Sequence, residues 1–223
     1  MTVPGTVRPR SGESDVTWCH HGSTVMSPGA INYALRMARW QPDARGRLVR
    51  AALALYGEAG FDNTTVAEIA ERAGLTKRTF FRYFADKREV LFWGAAQLEE
   101  LIVTEVGAAP ESAAPLEAVA QGLEATVGMF EERREFAAQR QQIIAANPEL
   151  QERELIKLAS LADAVARALR RRGVGDPAAI LTAEAGITVF RVAFERWVEP
   201  GNQRPLRQLI RESLEEMRAV TAA

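Results

Sequence analysis

Residues that commonly carry catalysis or bind metals are scarce in this chain. Its 223 residues include one cysteine, Cys19, and two histidines, His20 and His21. Three adjacent ligands cannot readily surround one ion, so we predict neither a metal site nor a bound cofactor. Because both histidines lie near the N-terminus, the rest of the chain cannot form a His-based triad, and we predict that the protein is not an enzyme. A carboxylate-based activity is the alternative left open.

Long apolar runs and strand patterns are missing as well. No apolar run reaches the roughly 18 residues that indicate a membrane span, and no secretory signal opens the chain, so we expect no membrane partner. A single cysteine excludes an internal disulfide and favours a reducing, cytoplasmic location. The apolar residues recur at helical spacing instead, which predicts an all-α fold of about nine helices.

The acidic and basic residues are unevenly distributed. The formal net charge is −1, but residues 45–92 contain nine Lys and Arg against six Asp and Glu, whereas residues 93–223 contain fifteen against twenty. This division is typical of a basic DNA-binding segment attached to an acidic body that does not itself bind DNA. It agrees with the domains that the motifs below predict, which are a helix-turn-helix DNA-binding domain over 43–88 and a helical ligand-binding and dimerisation domain over 89–223.

Residues 1–42 have a different composition, with prolines, glycines and serines scattered without periodicity. This composition predicts a disordered N-terminal extension. Translation beginning at Met26 or Met37 is an alternative interpretation. Four arginines at its end and in the first helix could form an arm along DNA or could be solvated charge: Arg36, Arg39, Arg45 and Arg47.

The most informative segment, residues 65–87, predicts a helix-turn-helix. Thr65, with Glu68 three residues on, fits a capping box that opens a short helix. Gly74 supplies the tight turn because glycine readily adopts a positive φ. Thr76 is the predicted N-cap of the second helix, which is basic and aromatic.

This second helix is predicted to present cations and hydroxyls to DNA. In the major groove an Arg can bond guanine with two hydrogen bonds, and a Thr can bond a base edge or touch a thymine methyl, so we predict that Arg78 and Thr79 read bases. The other outward groups are better placed for phosphate, where contacts fix register: Thr65, Lys77, Arg82, Tyr83 and Lys87. A short solvated helix pair is the alternative.

Residues 45–92 resemble the DNA-binding domain of the TetR family of bacterial transcriptional regulators. The shared pattern comprises Gly60-Phe61, the run from Thr64 to Leu75, the helix from Thr79 to Phe84, and Lys87. The resemblance implies that Tyr83 and Lys87 contact phosphate. Phe81 departs from the pattern, because the family usually has a tyrosine there whose hydroxyl touches a phosphate.

The sequence after residue 85 predicts further helices. One begins at the N-cap Asp86, and another runs from about Leu116 to Glu132. The last two helices carry apolar residues at alternating spacings of three and four, which can pair with a second copy in a four-helix interface. The predicted homodimer interface comprises Ile180, Ala183, Ile187, Phe190, Phe194, Trp197, Leu206, Ile210 and Met217. The resemblance assigns the last two helices the same role. Packing of both stripes inside one subunit is the alternative.

The region between the DNA-binding domain and these helices is predicted to bind a small-molecule effector. Its predicted pocket residues are Trp93, Met129, Phe130, Phe136, Arg140, Ile143, Leu158 and Phe190, although each would also serve an ordinary core. The stretch 140–158 resembles the C-terminal domain of TetR-type regulators grouped as acyl-CoA-like ligand binders, including regulators of mycofactocin genes. This resemblance implies an acyl thioester or similar amphipath. Arg133, Arg134 and Arg140 could meet its anionic head or could be solvated.

Together these features predict a sequence-specific transcriptional regulator of double-stranded DNA. Two copies about 34 Å apart would read a palindromic operator in successive major grooves. Ligand binding would tilt the helix that begins at Asp86 and release the DNA. Activation instead of repression is left open, and a non-specific or architectural DNA-binding protein is the alternative function.

Overall fold

The structure of the protein, a computed structural model, describes residues 43–221 and is helical throughout that range, as predicted. Its elements are α1 Ala44–Ala59, α2 Val66–Arg72, α3 Lys77–Tyr83, a 3₁₀ turn Glu89–Phe92, α4 Ala95–Ala108, α5 Pro115–Ala125, α6 Val127–Glu131, α7 Arg134–Ala145, α8 Pro148–Arg171, α9 Asp176–Val198 and α10 Leu206–Thr221. The predicted N-terminal extension, with Cys19, Arg36 and Arg39, lies outside the described residues.

Side-chain caps begin both helices of the helix-turn-helix, α2 and α3. Thr65 Oγ1 accepts from the Glu68 N–H at 3.3 Å, and Glu68 Oε2 accepts from the Thr65 N–H at 2.8 Å. Between the helices Gly74 has a φ of 64°. Thr76 Oγ1 accepts from the Thr79 N–H at 3.2 Å. The predicted capping box, turn glycine and N-cap are all confirmed.

The core of the DNA-binding domain extends into the body. Helices α1 to α3 pack around fully buried side chains such as Leu48, Ile69 and Phe80. The same apolar cluster includes Ile144 of α7 and Leu150 at the start of α8. Apolar side chains from both parts are buried in one close-packed core. A shift of α7 or α8 is therefore transmitted to the DNA-binding helices.

Helix α9 runs through the body and packs on α5, α8 and α10. It approaches α5 closely at Gly186, where an added Cβ would lie 2.4 Å from Val119 Cγ1. By length and composition alone α9 could cross a membrane. Nine of its residues are nevertheless buried among the neighbouring helices, which is how a core helix of this composition arises.

Two predicted helices differ in the structure. The helix expected to begin at Asp86 is a 3₁₀ turn followed by α4, because Asp86 Oδ1 accepts from the backbone N–H groups of Arg88 at 2.8 Å and Glu89 at 3.2 Å. The helix expected over 116–132 is divided into α5 and α6 at Thr126, whose buried hydroxyl donates to the Leu123 carbonyl at 2.7 Å. Such local side-chain bonds compete with the regular helix ladder.

The structure leaves few residues of the predicted dimer interface exposed. Seven of the predicted residues are buried inside the protomer: Ala183, Ile187, Phe190, Phe194, Trp197, Leu206 and Ile210. Met217 packs half-buried against the same core, whereas Ile180 is 44% exposed. Spacings of three and four specify an apolar helix face but not what covers it, and here the partners are helices of the same chain.

Candidate DNA interface and effector cavity

The surface of α3 carries cations that form no ion pair with the carboxylates of residues 43–221. Lys77, Arg78 and Arg82 are exposed and belong to none of the ion pairs formed within residues 43–221. By contrast, Arg72 at the end of α2 is paired with Glu58 at 2.6 Å. Free cations on a short exposed helix attract phosphate, and their guanidinium groups are available to base edges.

Tyr83, at the end of α3, is held between two arginines. The Arg82 guanidinium lies 4.9 Å from the ring centroid of Tyr83 and donates to its hydroxyl at 3.1 Å. Arg45 of α1 lies 5.4 Å from the same centroid. This arrangement fixes a half-buried ring and its hydroxyl at the edge of the cationic surface. The sequence predicts no contact between Arg45 and Tyr83.

Lys87 has a different environment from the one predicted for a phosphate ligand. Its ammonium donates to three backbone carbonyls, those of Phe61 at 2.7 Å, Thr64 at 3.0 Å and Asp62 at 3.2 Å. The same group lies 4.3 Å from the Phe61 ring centroid. An ammonium has three N–H donors, so none remains for a phosphate in this arrangement. Lys87 instead fixes the loop that precedes α2.

The backbone of Lys87 is held in turn by Tyr56 of α1, whose hydroxyl donates to the Lys87 carbonyl at 2.7 Å. Burial, assisted by the nearby charge of Asp86, raises the pKa of the Tyr56 phenol above its ordinary value. Partial burial acts to raise the pKa of Asp86, but hydrogen bonds from Arg88 and from the backbone N–H groups of Glu89 and Arg88 outweigh it and lower that pKa. Asp86 therefore stays ionised as the cap of the 3₁₀ turn.

An apolar cavity of about 570 Å³ lies in the body, next to the segment that follows the DNA-binding domain. Seven of the eight predicted pocket residues line it: Trp93, Met129, Phe130, Phe136, Arg140, Leu158 and Phe190. Aromatic rings dominate one wall, where the Phe130 centroid is 5.9 Å from that of Phe190 and 5.2 Å from that of Phe194. Apolar walls with a few convergent polar groups are typical of small-molecule sites.

The eighth residue, Ile143, was wrongly placed in the pocket. It is 7% exposed and packs in the apolar core that α7 shares with α1. The sequence prediction also missed residues 94–99, which form one wall of the cavity. No pattern in these small and polar residues marks them as a lining, and only the turn at 93–94 brings them there.

The three arginines considered for an anionic head have different environments. Arg134 donates to the carbonyls of Trp197 at 2.9 Å and Asn202 at 2.6 Å, so it fixes the end of α9. Arg140 donates to the Leu91 carbonyl at 2.7 Å. Arg133 lines the cavity and belongs to no ion pair formed within the described part of the chain. A broader hollow of about 880 Å³ beside α1 is lined by many charged residues and lacks the aromatic wall.

Comparison with known proteins agrees with this geometry. The family profile of bacterial regulatory proteins of the tetR family matches residues 48–92, and that of the MftR C-terminal domain matches residues 113–222. The HTH-type transcriptional regulator TcmR of Streptomyces glaucescens is 35% identical over 106 residues, 48% of this chain and 44% of TcmR. MftR of Mycobacterium tuberculosis, named as a mycofactocin biosynthesis transcriptional regulator, is 26% identical over 172 residues, 73% of this chain and 84% of MftR.

A solved structure supports the same assignment. A TetR-family transcriptional regulator from Mesorhizobium loti has a TM-score of 0.50 and 25% sequence identity, covering 83% of this chain and 98% of that one. The chain spans less than half the length of several curated relatives that it matches, TcmR among them. The two family profiles together cover most of the chain, which therefore belongs to the TetR family of transcriptional regulators. Members of this family bind DNA as dimers and respond to small molecules, and they are not enzymes, as predicted.

Proposed function

We propose that this regulator is a cytoplasmic repressor that binds a palindromic operator as a homodimer and releases it when an effector fills the 570 Å³ cavity. The observation that carries this proposal is the position of the cavity. Its wall includes residues 91–99, which directly follow the DNA-binding domain, so any occupant touches the segment that joins the two parts. No flexible linker separates the ligand from the helices that bind DNA.

The DNA contacts follow from the surface of α3. Arg78 is exposed and unpaired among the described residues, and with Thr79 it is our candidate for base reading. Lys77, Arg82, Tyr83 and Thr65 surround this pair and are our candidates for phosphate contacts. The exposed apolar pair Ile180 and Leu181 of α9, at 44% and 70% exposure, supports a partner copy on the outer face of that helix.

The effector that fits best is an acyl-CoA or a similar amphipath. An apolar tail can lie along the aromatic wall, whereas a polar head can meet the cationic residues of the lining, Arg133 and Arg140. An effector changes operator affinity only as far as it distinguishes the bound and released arrangements, typically by ~1 to 3 kcal/mol, or roughly 5- to 150-fold. Release should therefore be measurable as a partial and saturable loss of operator affinity.

The decisive experiment is selection of bound genomic fragments by the purified protein at moderate salt, with Arg78→Ala in parallel. The control is Arg171→Ala, which removes an exposed cation at the end of α8. A palindromic site that is lost in Arg78→Ala and retained in the control supports the proposal. Uniform recovery of fragments by all three proteins would show a non-specific DNA-binding protein instead.

A further inference from the structure

Ion pairs fasten residues 86–94, here called the linker, to the outer side of α8. Arg88 lies 3.2 Å from Glu149, at the start of α8. Glu89 accepts from Arg153 Nε at 2.8 Å and lies 3.6 Å from the Lys157 ammonium. These contacts join side chains to side chains at or near the surface. They hold the linker close to α8 without fixing its backbone.

Arg140 of α7 makes a different kind of contact. Its Nε donates to the backbone carbonyl of Leu91 at 2.7 Å, and its Nη1 donates to Glu154 Oε1 of α8 at 2.9 Å. Its guanidinium also lies 5.1 Å from the ring centroid of Phe92. The side chains of Arg140 and Glu154 are only 20% and 22% exposed. One guanidinium therefore fixes the linker backbone, the linker ring and α8 together.

Arg140 is also one of the residues that line the cavity, together with Leu91 and Glu154. A guanidinium has five N–H donors, and within the described residues Arg140 uses one on Nε and one on Nη1. Its Nη2 makes no hydrogen bond within residues 43–221. A carboxylate, sulfonate or phosphate in the cavity could take two of the free donors side by side.

We propose that Arg140 recognises an anionic group of the effector and passes the effect of binding to the DNA-binding domain. This inference rests on the proposed function and adds the charge of the effector and the residue that responds to it. The anionic group competes with Glu154 for the guanidinium and turns it toward the cavity. The bond from Nε to the Leu91 carbonyl then weakens, and the linker backbone is free to shift relative to α8.

Recognition can be tested without DNA, using two fluorescent probes that share one ring system. 8-Anilinonaphthalene-1-sulfonate is anionic, whereas N-phenyl-1-naphthylamine lacks the sulfonate. We expect the wild type to prefer the anionic probe by roughly tenfold or more, since hydrogen bonds between charged groups are the strong ones. Arg140→Gln should lose this preference while its affinity for the neutral probe stays within about twofold. The control Arg191→Gln removes a cation from the same cavity but should keep the preference.

Glu154→Gln supplies a second variant that keeps Arg140 and weakens its competitor. It should bind the anionic probe a few times more tightly than the wild type, by roughly two- to fivefold, and the neutral probe equally. Recognition by Arg140 is overturned if the wild type shows no preference, or if the preference survives in Arg140→Gln. An equal loss for both probes in Arg140→Gln also overturns it, because that result would indicate a collapsed cavity.

The second half of the proposal is tested by fluorescence anisotropy on a labelled fragment that carries the selected operator. Saturating anionic probe should weaken operator binding by the wild type by roughly five- to tenfold. Arg140→Gln should resemble the probe-bound protein, with weakened operator binding and no further response. Tight operator binding with normal release in Arg140→Gln, or no response in the wild type, would overturn transmission through Arg140. Absence of any operator would instead contradict the proposed function and leave the probe preference interpretable.

Discussion

Replacing Tyr56 by Phe should remove one hydrogen bond that joins the DNA-binding domain to the linker. The phenol is 3% exposed and donates to the Lys87 carbonyl at 2.7 Å. The substitution keeps the ring and its edge contact with Phe61, with centroids 5.1 Å apart, and removes only the hydroxyl. Leaving a part-buried carbonyl without its donor costs roughly 1–3 kcal/mol. We expect the free energy of unfolding to fall by this amount at pH 7.

Denaturant unfolding of the wild type and Tyr56→Phe measures this difference, and its pH dependence gives a second check. The raised pKa of Tyr56 means that its stabilisation is complete below the ordinary phenol value of about 10 and is lost as pH rises above it. The wild type should lose about 1.4 kcal/mol per pH unit through this group, so its advantage over Tyr56→Phe should narrow above pH 10.

Tyr83→Phe is the matched control for this experiment. It also removes one phenol hydroxyl, but that hydroxyl is on a half-buried ring and accepts from the exposed Arg82. We expect a change in unfolding free energy of less than ~0.5 kcal/mol in the control. An equally small change in Tyr56→Phe, or a difference from wild type that stays constant above pH 10, would refute the assigned role of the Tyr56 hydroxyl.

Three further predictions concern other parts of the molecule. Phe81→Tyr should raise operator affinity roughly two- to tenfold, because the ring is 56% exposed beside the cations of α3 and the added hydroxyl would be a further donor for phosphate; equal affinity in anisotropy titrations would contradict this. Gly186→Ala should lower the free energy of unfolding by about 1–3 kcal/mol, because its Cβ would overlap Val119. Gly107→Ala, which has open space around it, should raise it slightly. Equal effects of the two variants on denaturant midpoints would refute the packing argument. Glu124→Gln should lower the free energy of unfolding by about 0.5–1 kcal/mol at pH 7, because hydrogen bonds from Arg211 and Arg207 lower the pKa of the Glu124 carboxyl. The difference from the wild type should disappear as pH falls through about 4. A difference that does not change with pH would argue against the ion pairs.

The helix-turn-helix was predictable because its determinants are local. Thr65 and Glu68 are three residues apart, as are Thr76 and Thr79, so each cap involves only near neighbours in the chain. Gly74 is required by a single backbone angle, with φ at 64°. None of these features depends on what other helices do.

The long-range contacts were not predictable from the same sequence. Lys87 bonds carbonyls more than twenty residues earlier, and Arg140 bonds a carbonyl 49 residues earlier. Nothing in a helical spacing says whether a cation faces phosphate, a carbonyl or water. For the same reason the stripe on α9 indicated an apolar face, while its burial depended on where α5, α8 and α10 came to lie.

The hydrogen bonds of Lys87 determine how a rotation of the linker reaches α3. Its ammonium holds the loop before α2, and its carbonyl is held by α1 through Tyr56. A single residue thus connects three parts of the domain, namely the loop before α2, the segment that follows α3, and α1. We therefore expect a small rotation at the linker to turn the whole DNA-binding domain, including α3, with little bending inside it. Weakening either set of hydrogen bonds of Lys87 would let the domain bend. A smaller part of the rotation at the linker would then reach α3.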